Sequence, residues 1–203
     1  MTGRPCSVSE KIAKNLNTMK ISVVVNTFNS DRFLDQCLRS VEKFDEIVLC
    51  DMHSTDGTIA IAEKYGCRIV YHERTGIVEP ARNYAIAQAE NEWVLVLDSD
   101  EVVPDALREY LYRFAETAEQ RGYAALKMAR KNYFLGRFMH GDYPDYIIRL
   151  IRKSKTYWPE TIHARPVIDG GIFAIPSRRR ELAVEHLANE SVSSRIAKID
   201  LYS

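Results

Sequence analysis

Four short apolar runs, separated by amphipathic segments, constrain the fold of this chain more than any other feature. The runs are MKISVVVN (19–26), DEIVLCD (45–51), CRIVYHE (67–73) and EWVLVLD (92–98). Continuous apolar runs rich in β-branched residues are typical of strands covered on both faces of a parallel sheet. Segments with helical spacing follow at 29–44, 54–66, 79–90 and after Pro104. This alternation predicts an α/β fold, a mostly parallel central sheet with helices on both faces.

The starts of two helices carry recognisable signals. Ser30 is expected to cap the helix of segment 29–44 through its side chain, as serine often does at this position. Pro80 stands in the first turn of the helix of segment 79–90, where its missing N–H leaves no hydrogen bond unmade. These signals support the helical interpretation of both segments.

The pattern changes after Gly122. Strand-like runs separated by Gly, Pro and basic residues occupy 123–134, 145–153, 165–175 and 180–188. We expect a polar leader over 1–18 and one domain over 19–203. That domain divides into a half at 19–120 and a mixed-sheet half at 121–203, packed on the first. The final residues, SVSSRIAKIDLYS, have a helical pattern without a stop signal, which predicts that the chain is a piece of a longer protein.

Composition excludes several classes of function. The 203 residues carry 28 basic and 28 acidic side chains, so the chain lacks the positive charge typical of proteins that bind nucleic acid. Its four cysteines are scattered, which is typical of buried apolar thiols in the reducing cytoplasm. No apolar run reaches the ~20 residues of a membrane-spanning helix. The glycine-rich phosphate loops of dinucleotide-binding and P-loop proteins are absent from the sequence.

Acidic residues crowd the end of the fourth predicted strand, in the stretch Asp98-Ser99-Asp100-Glu101. Side chains two positions apart on a strand point the same way, roughly 7 Å apart, so these carboxylates repel one another unless a cation lies between them. A hard divalent cation with oxygen ligands fits this arrangement. The alternative is a polar turn whose acids favour the N-terminus of the next helix. That alternative explains Glu101 well and Asp98 poorly, because Asp98 ends an apolar strand.

Two further polar clusters follow the first and second predicted strands. In open α/β sheets such clusters meet in a crevice at the carboxyl ends of the strands, where ligands bind. In NTFN, Phe28 could face a nucleobase and Asn29 could hold a turn. In DMHSTDGT, Asp51 could accept a hydrogen bond from a base, whereas Asp56 and Gly57 suit a cap and a tight turn. Arg82 either is a solvated charge or contacts a phosphate.

The stretches VVNTFN, DMHSTDGT and ARNYAIAQAENEWVLVLDSDE together resemble the family-two inverting glycosyltransferases, which have the GT-A, nucleotide-diphospho-sugar transferase-like fold. The resemblance is strongest over residues 20 to 115. The later stretches YPDYIIRLIRKSKTYW, IHARP and VEHLANESVSSRIAKIDLYS resemble the branch that includes lipopolysaccharide-core glucosyltransferases. These motifs indicate the superfamily and leave the sugar and the acceptor open.

The resemblance implies a role for individual residues. The expected nucleotide-binding residues are Thr27, Phe28 and Asn29 around the base, Asp51 reading the base, Arg82 near the nucleotide and Asp98 toward the ribose. The expected metal residues are Asp100 and His186, the latter near the metal and the diphosphate. Relatives often carry His-Glu where this chain has His163-Ala164, so the usual candidate for the general base is missing. The candidate catalytic residues are therefore Asp145, Glu160 and His163, with Asp145 preferred because it leads directly into a strand.

The resemblance also implies an activity. It is the transfer of a sugar from a nucleotide-diphosphate sugar, first of all a UDP-sugar, to a hydroxyl of a glycan or lipid-linked acceptor. The expected cofactor is Mg²⁺ or Mn²⁺, the expected outcome is inversion, and the expected pathway is the synthesis of cell-surface polysaccharide or lipopolysaccharide. The expected location is the cytoplasm, with peripheral contact to the inner face of the membrane.

Two other functions are open. A nucleotidyltransferase would use a similar sheet and acidic site, but such enzymes usually have a glycine-rich basic loop where this chain has NTFNSDR. A non-catalytic nucleotide- or glycan-binding module of the same fold is compatible with Ala164 in place of glutamate.

Overall fold

The computed structural model describes residues 19–74, 78–161 and 164–189. In the first half the elements are β1 (Ile21–Thr27), α1 (Asp31–Val41), β2 (Glu46–Asp51), α2 (Thr58–Lys64), β3 (Arg68–Tyr71), α3 (Glu79–Gln88), β4 (Trp93–Asp98), β5 (Glu101–Val102) and α4 (Asp105–Ala118). Every strand and helix expected from the alternating pattern is present. The short strand β5, immediately after the acidic stretch, was not foreseen.

The second half consists mainly of strands. They are β6 (Tyr123–Phe134), β7 (Arg137–Phe138), β8 (Asp145–Arg152), β9 (Thr156–Tyr157), β10 (Val167–Ile168), β11 (Gly171–Ala174) and β12 (Val184–Asn189), with 3₁₀ turns at His140–Asp142, Lys153–Lys155 and Arg180–Leu182. All four strand-like runs contain strands, although the third is divided into β10 and β11. The expected leader, the expected C-terminal helix and His163 lie outside the described residues.

One mixed sheet joins the two halves. Eight strands follow the order β3-β2-β1-β4-β8-β6-β12-β5, and β7 and β11 also pair with β6, so the sheet has ten strands. Strands β1 to β4 are mutually parallel, whereas β8 is antiparallel to both β4 and β6. The expected mixed-sheet half is confirmed. The second half continues the sheet of the first half through the pairing of β4 with β8. The sequence had suggested instead that the second half packs on the first.

Apolar side chains are buried on both faces of the sheet. On one face Val23 and Val25 of β1 contact a core that includes Leu38 of α1 and Leu111 of α4. On the other face the core includes Val24 and residues of α3. Successive side chains of a strand point to opposite faces, which is why the run VVV serves both cores. Helices on both faces are therefore confirmed. Among the described residues, no helix is both long and apolar enough to cross a membrane.

The prediction that the Ser30 side chain caps α1 is wrong. The Ser30 hydroxyl lies close to the backbone of Phe28 and makes no capping hydrogen bond to α1. Asp56 from the next loop caps this helix, because its Oδ2 accepts the backbone N–H of Asp31 over 3.1 Å. Its Oδ1 accepts the N–H of Thr58 at the start of α2 over 3.0 Å. One carboxylate thus serves two helix starts, a contact between distant segments that local sequence does not reveal.

Candidate active site

The carboxyl ends of β1, β2 and β4 lie side by side. Thr27 at the end of β1 is the register partner of Asp51 in β2, and Asn26 is the register partner of Asp98 in β4. Strand β1 has β2 on one side and β4 on the other, so the chain crosses over in opposite directions from it. A sheet of this kind has its ligand crevice outside the carboxyl ends at such a point.

Asp51 is completely buried at this edge. Its Oδ1 accepts the hydroxyls of Thr27 over 2.8 Å and Ser54 over 2.6 Å, and its Oδ2 accepts the backbone N–H of Ser54 over 2.7 Å. These hydrogen bonds compensate the carboxylate for its loss of water. Asp51 therefore holds the loop after β2, a structural role that the sequence did not indicate. Its reading of a nucleobase stays a prediction.

Asn29 joins the loops after β1 and β2. Its Oδ1 accepts the backbone N–H of Thr55 over 2.8 Å, and its own N–H donates to the Ser54 hydroxyl over 2.8 Å. Its φ of 47° lies in the left-handed region, which asparagine tolerates better than most residues. Beside it, the guanidinium of Arg74 lies 4.0 Å from the centre of the Phe28 ring. Asn29 thus has the turn role expected of it, and the Phe28 ring contacts the guanidinium of Arg74.

The acidic stretch after β4 is bound by arginines. Arg82 of α3 donates to Oδ1 of Asp98 over 2.8 Å, and the buried Arg149 of β8 donates to Oδ2 of the same carboxylate. Arg149 also donates to Oε1 of Glu101 over 2.6 Å, which Arg130 approaches at 3.3 Å. Glu101 is completely buried in β5, three residues ahead of the cap of α4. Its expected role as an acid at a helix N-terminus is therefore wrong.

The arginines keep Asp98 ionised, whereas burial raises the pKa of Glu101 despite its contacts with Arg149 and Arg130. Burial alone would raise the pKa of Asp98, but the charges of Arg149 and Arg82 outweigh it and hold that pKa well below its ordinary value. Burial alone would lower the pKa of Arg149, but Asp98 and Glu101 outweigh it and raise that pKa. The buried Arg149 lies between the half-buried Asp98 and the buried Glu101, and this pairing offsets the desolvation of its charge.

Asp100 has a different environment from its neighbours. Its Oδ2 lies 3.5 Å from Nε2 of His186, which β12 brings to the acidic stretch. Its Oδ1 is buried and makes no hydrogen bond within the part of the chain that the structure describes. The far side of the His186 ring is occupied, since Nδ1 lies 2.8 Å from Oδ1 of Asn132. The two residues predicted to hold a metal are thus neighbours.

Asp145 is the one candidate catalytic residue that joins this cluster in the described structure. Its Oδ2 accepts three hydrogen bonds, from Nε of Arg130 over 2.9 Å, from Nη2 of Arg130 over 2.7 Å and from Nδ2 of Asn132 over 3.0 Å. Burial acts to raise its pKa, but the Asn132 hydrogen bond and the Arg130 charge prevail and lower it. A lowered pKa makes a carboxylate a weaker base at neutral pH. Glu160 is exposed in the loop after β9.

The residues present fit a metal ion whose ligands come partly from the protein and partly from a bound substrate. Within residues 19–74, 78–161 and 164–189, no group of three or more His, Cys, Asp or Glu side chains is arranged to hold an ion. Asp100 and His186 supply two potential ligands. Mg²⁺ in nucleotide sites commonly takes one or two protein ligands, and water and phosphate oxygens complete its shell.

Several buried polar atoms at this edge have no hydrogen-bond partner among the described residues. They are Oδ1 and Nδ2 of Asn26, Nε of Arg82, Oδ1 of Asp100 and Nε of Arg149. Buried polar groups in folded proteins are almost always paired, so a cluster of exceptions requires an explanation. A polar ligand that supplies both donors and acceptors would satisfy such a group.

Three residues of the cluster were missed by the sequence analysis: Arg130, Asn132 and Arg149. Arg149 could have been suspected, because it interrupts the apolar run YIIRLI within a predicted strand. Its orientation depends on a β-bulge: Leu126 of β6 pairs with Leu150 and Lys127 pairs with Ile148, so Arg149 stands opposite no residue. Bulges re-aim side chains in this way and are common next to active sites. Nothing in the local sequence marks the bulge.

The sheet order, with its acidic stretch after β4 and its mixed second half, defines a GT-A fold, as expected. The chain belongs to glycosyl transferase family 2, whose family model matches residues 22–175.

The comparisons with individual proteins agree with this assignment. The lipopolysaccharide core biosynthesis glycosyltransferase LpsC of Rhizobium meliloti (strain 1021) is 27% identical over 166 residues, which cover 76% of this chain and 59% of LpsC. The crystal structure of S. aureus TarS 1-349 has a TM-score of 0.58 and 22% identity, covering 84% of this chain and 61% of that one.

Glucosyl-3-phosphoglycerate synthase from Mycobacterium tuberculosis, in complex with Mn²⁺, UDP and phosphoglyceric acid, has a TM-score of 0.52 and 19% identity, covering 77% of this chain and 65% of that one. At these identities the likeness of the two structures to this chain shows the fold alone. The chain spans about three fifths of the length of LpsC and of TarS 1-349.

Proposed function

We propose that this chain is a glycosyltransferase that moves a sugar from a nucleotide-diphosphate sugar to a hydroxyl group. One observation carries the proposal. At the carboxyl edge of the sheet, a buried oxygen of Asp100 lies beside His186, and this oxygen and several other buried polar atoms there have no hydrogen-bond partner among the described residues. Family membership supports the same reaction class. An edge of this kind suits a diphosphate, which brings many acceptor oxygens and a bound cation.

A UDP-sugar is the proposed donor. TarS 1-349 has been solved with UDP-GlcNAc, and the M. tuberculosis synthase with UDP. In this chain the loops after β1 and β2 would hold the nucleoside. Thr27, Phe28 and Asn29 line its position, Asp51 accepts from the base, and Asp98 lies toward the ribose. Arg82 would contact the phosphates, since its buried Nε has no partner in the part of the chain that the structure describes, while Nη2 is bound to Asp98.

Asp100 and His186 would hold Mg²⁺ or Mn²⁺. When bound, such an ion supplies Lewis-acid stabilisation to the negative charge of the departing diphosphate. The protein contributes the fixed geometry. Arg149 and Arg130 neutralise Asp98 and Glu101, so that Asp100 is the carboxylate of this stretch without an arginine contact among the described residues.

The acceptor is proposed to be a glycan or lipid-linked hydroxyl in the synthesis of cell-surface polysaccharide or lipopolysaccharide. The printed name of LpsC supports this pathway. With such an acceptor, the protein would work in the cytoplasm at the inner face of the membrane. Inversion of configuration requires a base opposite the leaving group. Asp145, Glu160 and His163 stay the predicted candidates for it.

A non-catalytic binding module is the second candidate, and one observation favours it. Ala164, at the position where the resemblance implies that relatives often carry glutamate, packs against the core and accepts the indole N–H of Trp158 through its carbonyl over 2.9 Å. This segment therefore offers no carboxylate at that position. A module of this kind would bind nucleotide without turnover.

Thermal shift and turnover together test both candidates. UDP, UDP-glucose, UDP-GlcNAc and other nucleotide sugars are added with and without Mn²⁺ or Mg²⁺, and the melting temperature is recorded. A ligand at 100 times its Kd adds about 2.7 kcal/mol of stability. We expect a metal-enhanced shift and slow release of UDP from one of the sugars. A shift without release of UDP identifies the binding module. The absence of any shift contradicts both functions.

A further inference from the structure

The imidazole of His186 is held from behind by an amide. In the parallel pairing of β6 and β12, Asn132 is the direct register partner of His186. Oδ1 of Asn132 lies 2.8 Å from Nδ1 of the ring, and on the opposite side Nε2 lies 3.5 Å from Oδ2 of Asp100. The ring therefore lies between an amide and a carboxylate.

The orientation of the Asn132 amide is set by its other partner. The Asn132 amide lies 3.0 Å from Oδ2 of Asp145, an oxygen that also accepts two N–H groups of Arg130. A carboxylate paired with a guanidinium is ionised and can only accept hydrogen bonds. The NH₂ group of Asn132 must therefore face Asp145, since the reverse orientation would bring two acceptor oxygens together. The carbonyl oxygen of Asn132 consequently faces His186.

This orientation decides which ring nitrogen carries the proton. An amide oxygen can only accept, so Nδ1 of His186 must be the donor. In the neutral ring Nε2 then carries the lone pair, directed toward Asp100. Two lone-pair-bearing atoms facing each other at this distance suit a cation between them. A hydrogen bond at one ring nitrogen is the usual means by which proteins present the other to a metal.

We propose that Asn132 is a positioning residue, anchored by Asp145 and Arg130, which holds His186 in the Nδ1–H tautomer so that Nε2 is presented to a divalent cation beside Asp100. The inference rests on the metal-assisted transfer proposed above. It assigns Asp145 a role in anchoring this amide, in place of the general base. Arg130 strengthens the anchor, since its Nη1 lies 3.3 Å from the buried Glu101.

The geometry of Asp145 supports this role. The three side-chain hydrogen bonds that it makes with described residues all end on one oxygen, and all three donors come from β6. Asp145 is the register partner of Arg130, so the contact belongs to the pairing of β6 with β8 and does not depend on a loop. An anchor built from paired strands fixes an amide more precisely than a loop would.

The tautomer can be read without any metal or substrate. Nitrogen NMR of the ¹⁵N-histidine-labelled, metal-free protein at a pH where the ring is neutral distinguishes a protonated Nδ1 from a protonated Nε2. The His186 signal is assigned by its loss in His186→Gln. We expect wild type to carry the proton on Nδ1 and Asn132→Leu to show a mixture of both forms. A wild-type ring protonated on Nε2, or an unchanged tautomer in Asn132→Leu, overturns the proposal.

Metal affinity provides the second readout. Titration of Mn²⁺ in the presence of UDP is followed by electron paramagnetic resonance. Loss of a residue that orients a metal-bound histidine typically weakens affinity by about 10- to 100-fold, which is the loss we expect for Asn132→Leu. Asp145→Ala should weaken affinity in the same way, and the double variant should lose no more than Asn132→Leu alone. If Asp145→Ala leaves the affinity at the wild-type value, the anchor role is refuted.

Asn91→Leu is the matched control. Asn91 makes a comparable side-chain hydrogen bond, donating to the Ser22 hydroxyl over 3.0 Å, but lies at the opposite end of β4 from Asp98. It should leave both tautomer and affinity unchanged. If Asn132→Leu does not fold, Asn132→Ala removes the same hydrogen bonds with less bulk. Failure of wild type to bind Mn²⁺ with UDP would contradict the metal in the proposed function, whereas the tautomer measurement tests the role of Asn132 separately.

Discussion

The buried guanidinium of Arg149 donates a hydrogen bond to the carboxylate of Asp98 and so joins β8 to the end of β4. Through this contact the antiparallel half of the sheet holds the acidic stretch that follows the parallel half. Arg149 also contacts Glu101, which leaves Asp100 as the acid available to a ligand. The electrostatic arrangement of the site therefore depends on a residue that need not touch any substrate.

Arg149→Met should destabilise the protein by about 3 to 5 kcal/mol, because removing one partner of a buried ion pair leaves uncompensated buried charge. Methionine keeps much of the apolar volume of the arginine side chain, so the loss of stability reports on the missing charge. Urea unfolding measures it. Arg113→Met, which breaks an exposed pair with Glu109 on α4, is the control and should cost less than about 1 kcal/mol. Equal losses in both variants would contradict the importance of the buried contact.

The buried thiols should make the protein less stable in alkaline solution. Burial raises the pKa of Cys50 to about 11, and burial raises that of Cys37 well above its ordinary value. A raised folded-state pKa contributes stability that is present below the unfolded pKa of about 8.5 and is lost as pH rises toward the folded value. The free energy of unfolding should therefore fall above that pH.

Between pH 8 and pH 10, the free energy of unfolding of Cys50→Ala should fall by about 2 kcal/mol less than that of wild type. Urea unfolding at both pH values measures the difference from wild type. Val48→Ala, at a buried and non-titrating position of the same strand, is the control and should lower stability equally at both pH values. The thiol explanation fails if Cys50→Ala and wild type lose the same stability over this range.

Asp100→Asn should abolish most of the metal-dependent release of UDP. At an effective dielectric of about 20, a unit charge pair at ~4 Å contributes ~4 kcal/mol, which corresponds to roughly a thousandfold in rate. The melting temperature should stay near that of wild type, since within the described residues the Asp100 carboxylate makes one contact, at 3.5 Å from Nε2 of His186. Asp105→Asn, on an exposed side chain at the start of α4, should retain wild-type turnover. Unchanged turnover in Asp100→Asn would exclude a metal at this residue.

Asp51→Ala should weaken nucleotide binding by roughly 10- to 100-fold, the range for losing a hydrogen bond to a charged group. Titration calorimetry with UDP measures the affinity. Thr27→Val removes one internal hydrogen bond of the carboxylate and leaves the carboxylate itself in place, so it serves as the comparison and should cost less affinity. An affinity in Asp51→Ala equal to that of wild type would show that Asp51 only holds the loop.

Most of the fold was predictable from sequence, because burial on both faces of a parallel sheet leaves a strong pattern. The runs that became β1, β2 and β4 are mostly apolar, and the polar residues at their carboxyl ends mark one edge of the sheet. The joining of the halves was not predictable, because it depends on the pairing of Leu95 with Leu150, and an apolar residue does not specify its partner. The prediction of the cap of α1 failed for a similar reason, since the capping residue Asp56, which accepts the N–H of Asp31, comes from another loop.

Residues of the candidate site could be named from the sequence where they lie at strand ends. Asp98, Asp100 and Asp51 could be named from their positions after apolar runs. Asn132 and Arg130 could not, because in sequence they are ordinary polar residues of a strand, and their importance arises from cross-strand neighbours. The β-bulge that directs Arg149 into the cluster is likewise a property of two paired strands.

Strand β12 reaches the acidic stretch from beyond the segment that the family model matches. It pairs with β5 at Glu185 and His186, and the N–H of Leu187 donates to the carbonyl of Asp100 over 2.9 Å. A recombinant fragment trimmed at residue 175 would lack these contacts and would expose the outer edge of β6 to other chains. Expression trials of such a fragment should give aggregates, so domain boundaries for crystallisation must extend past this strand.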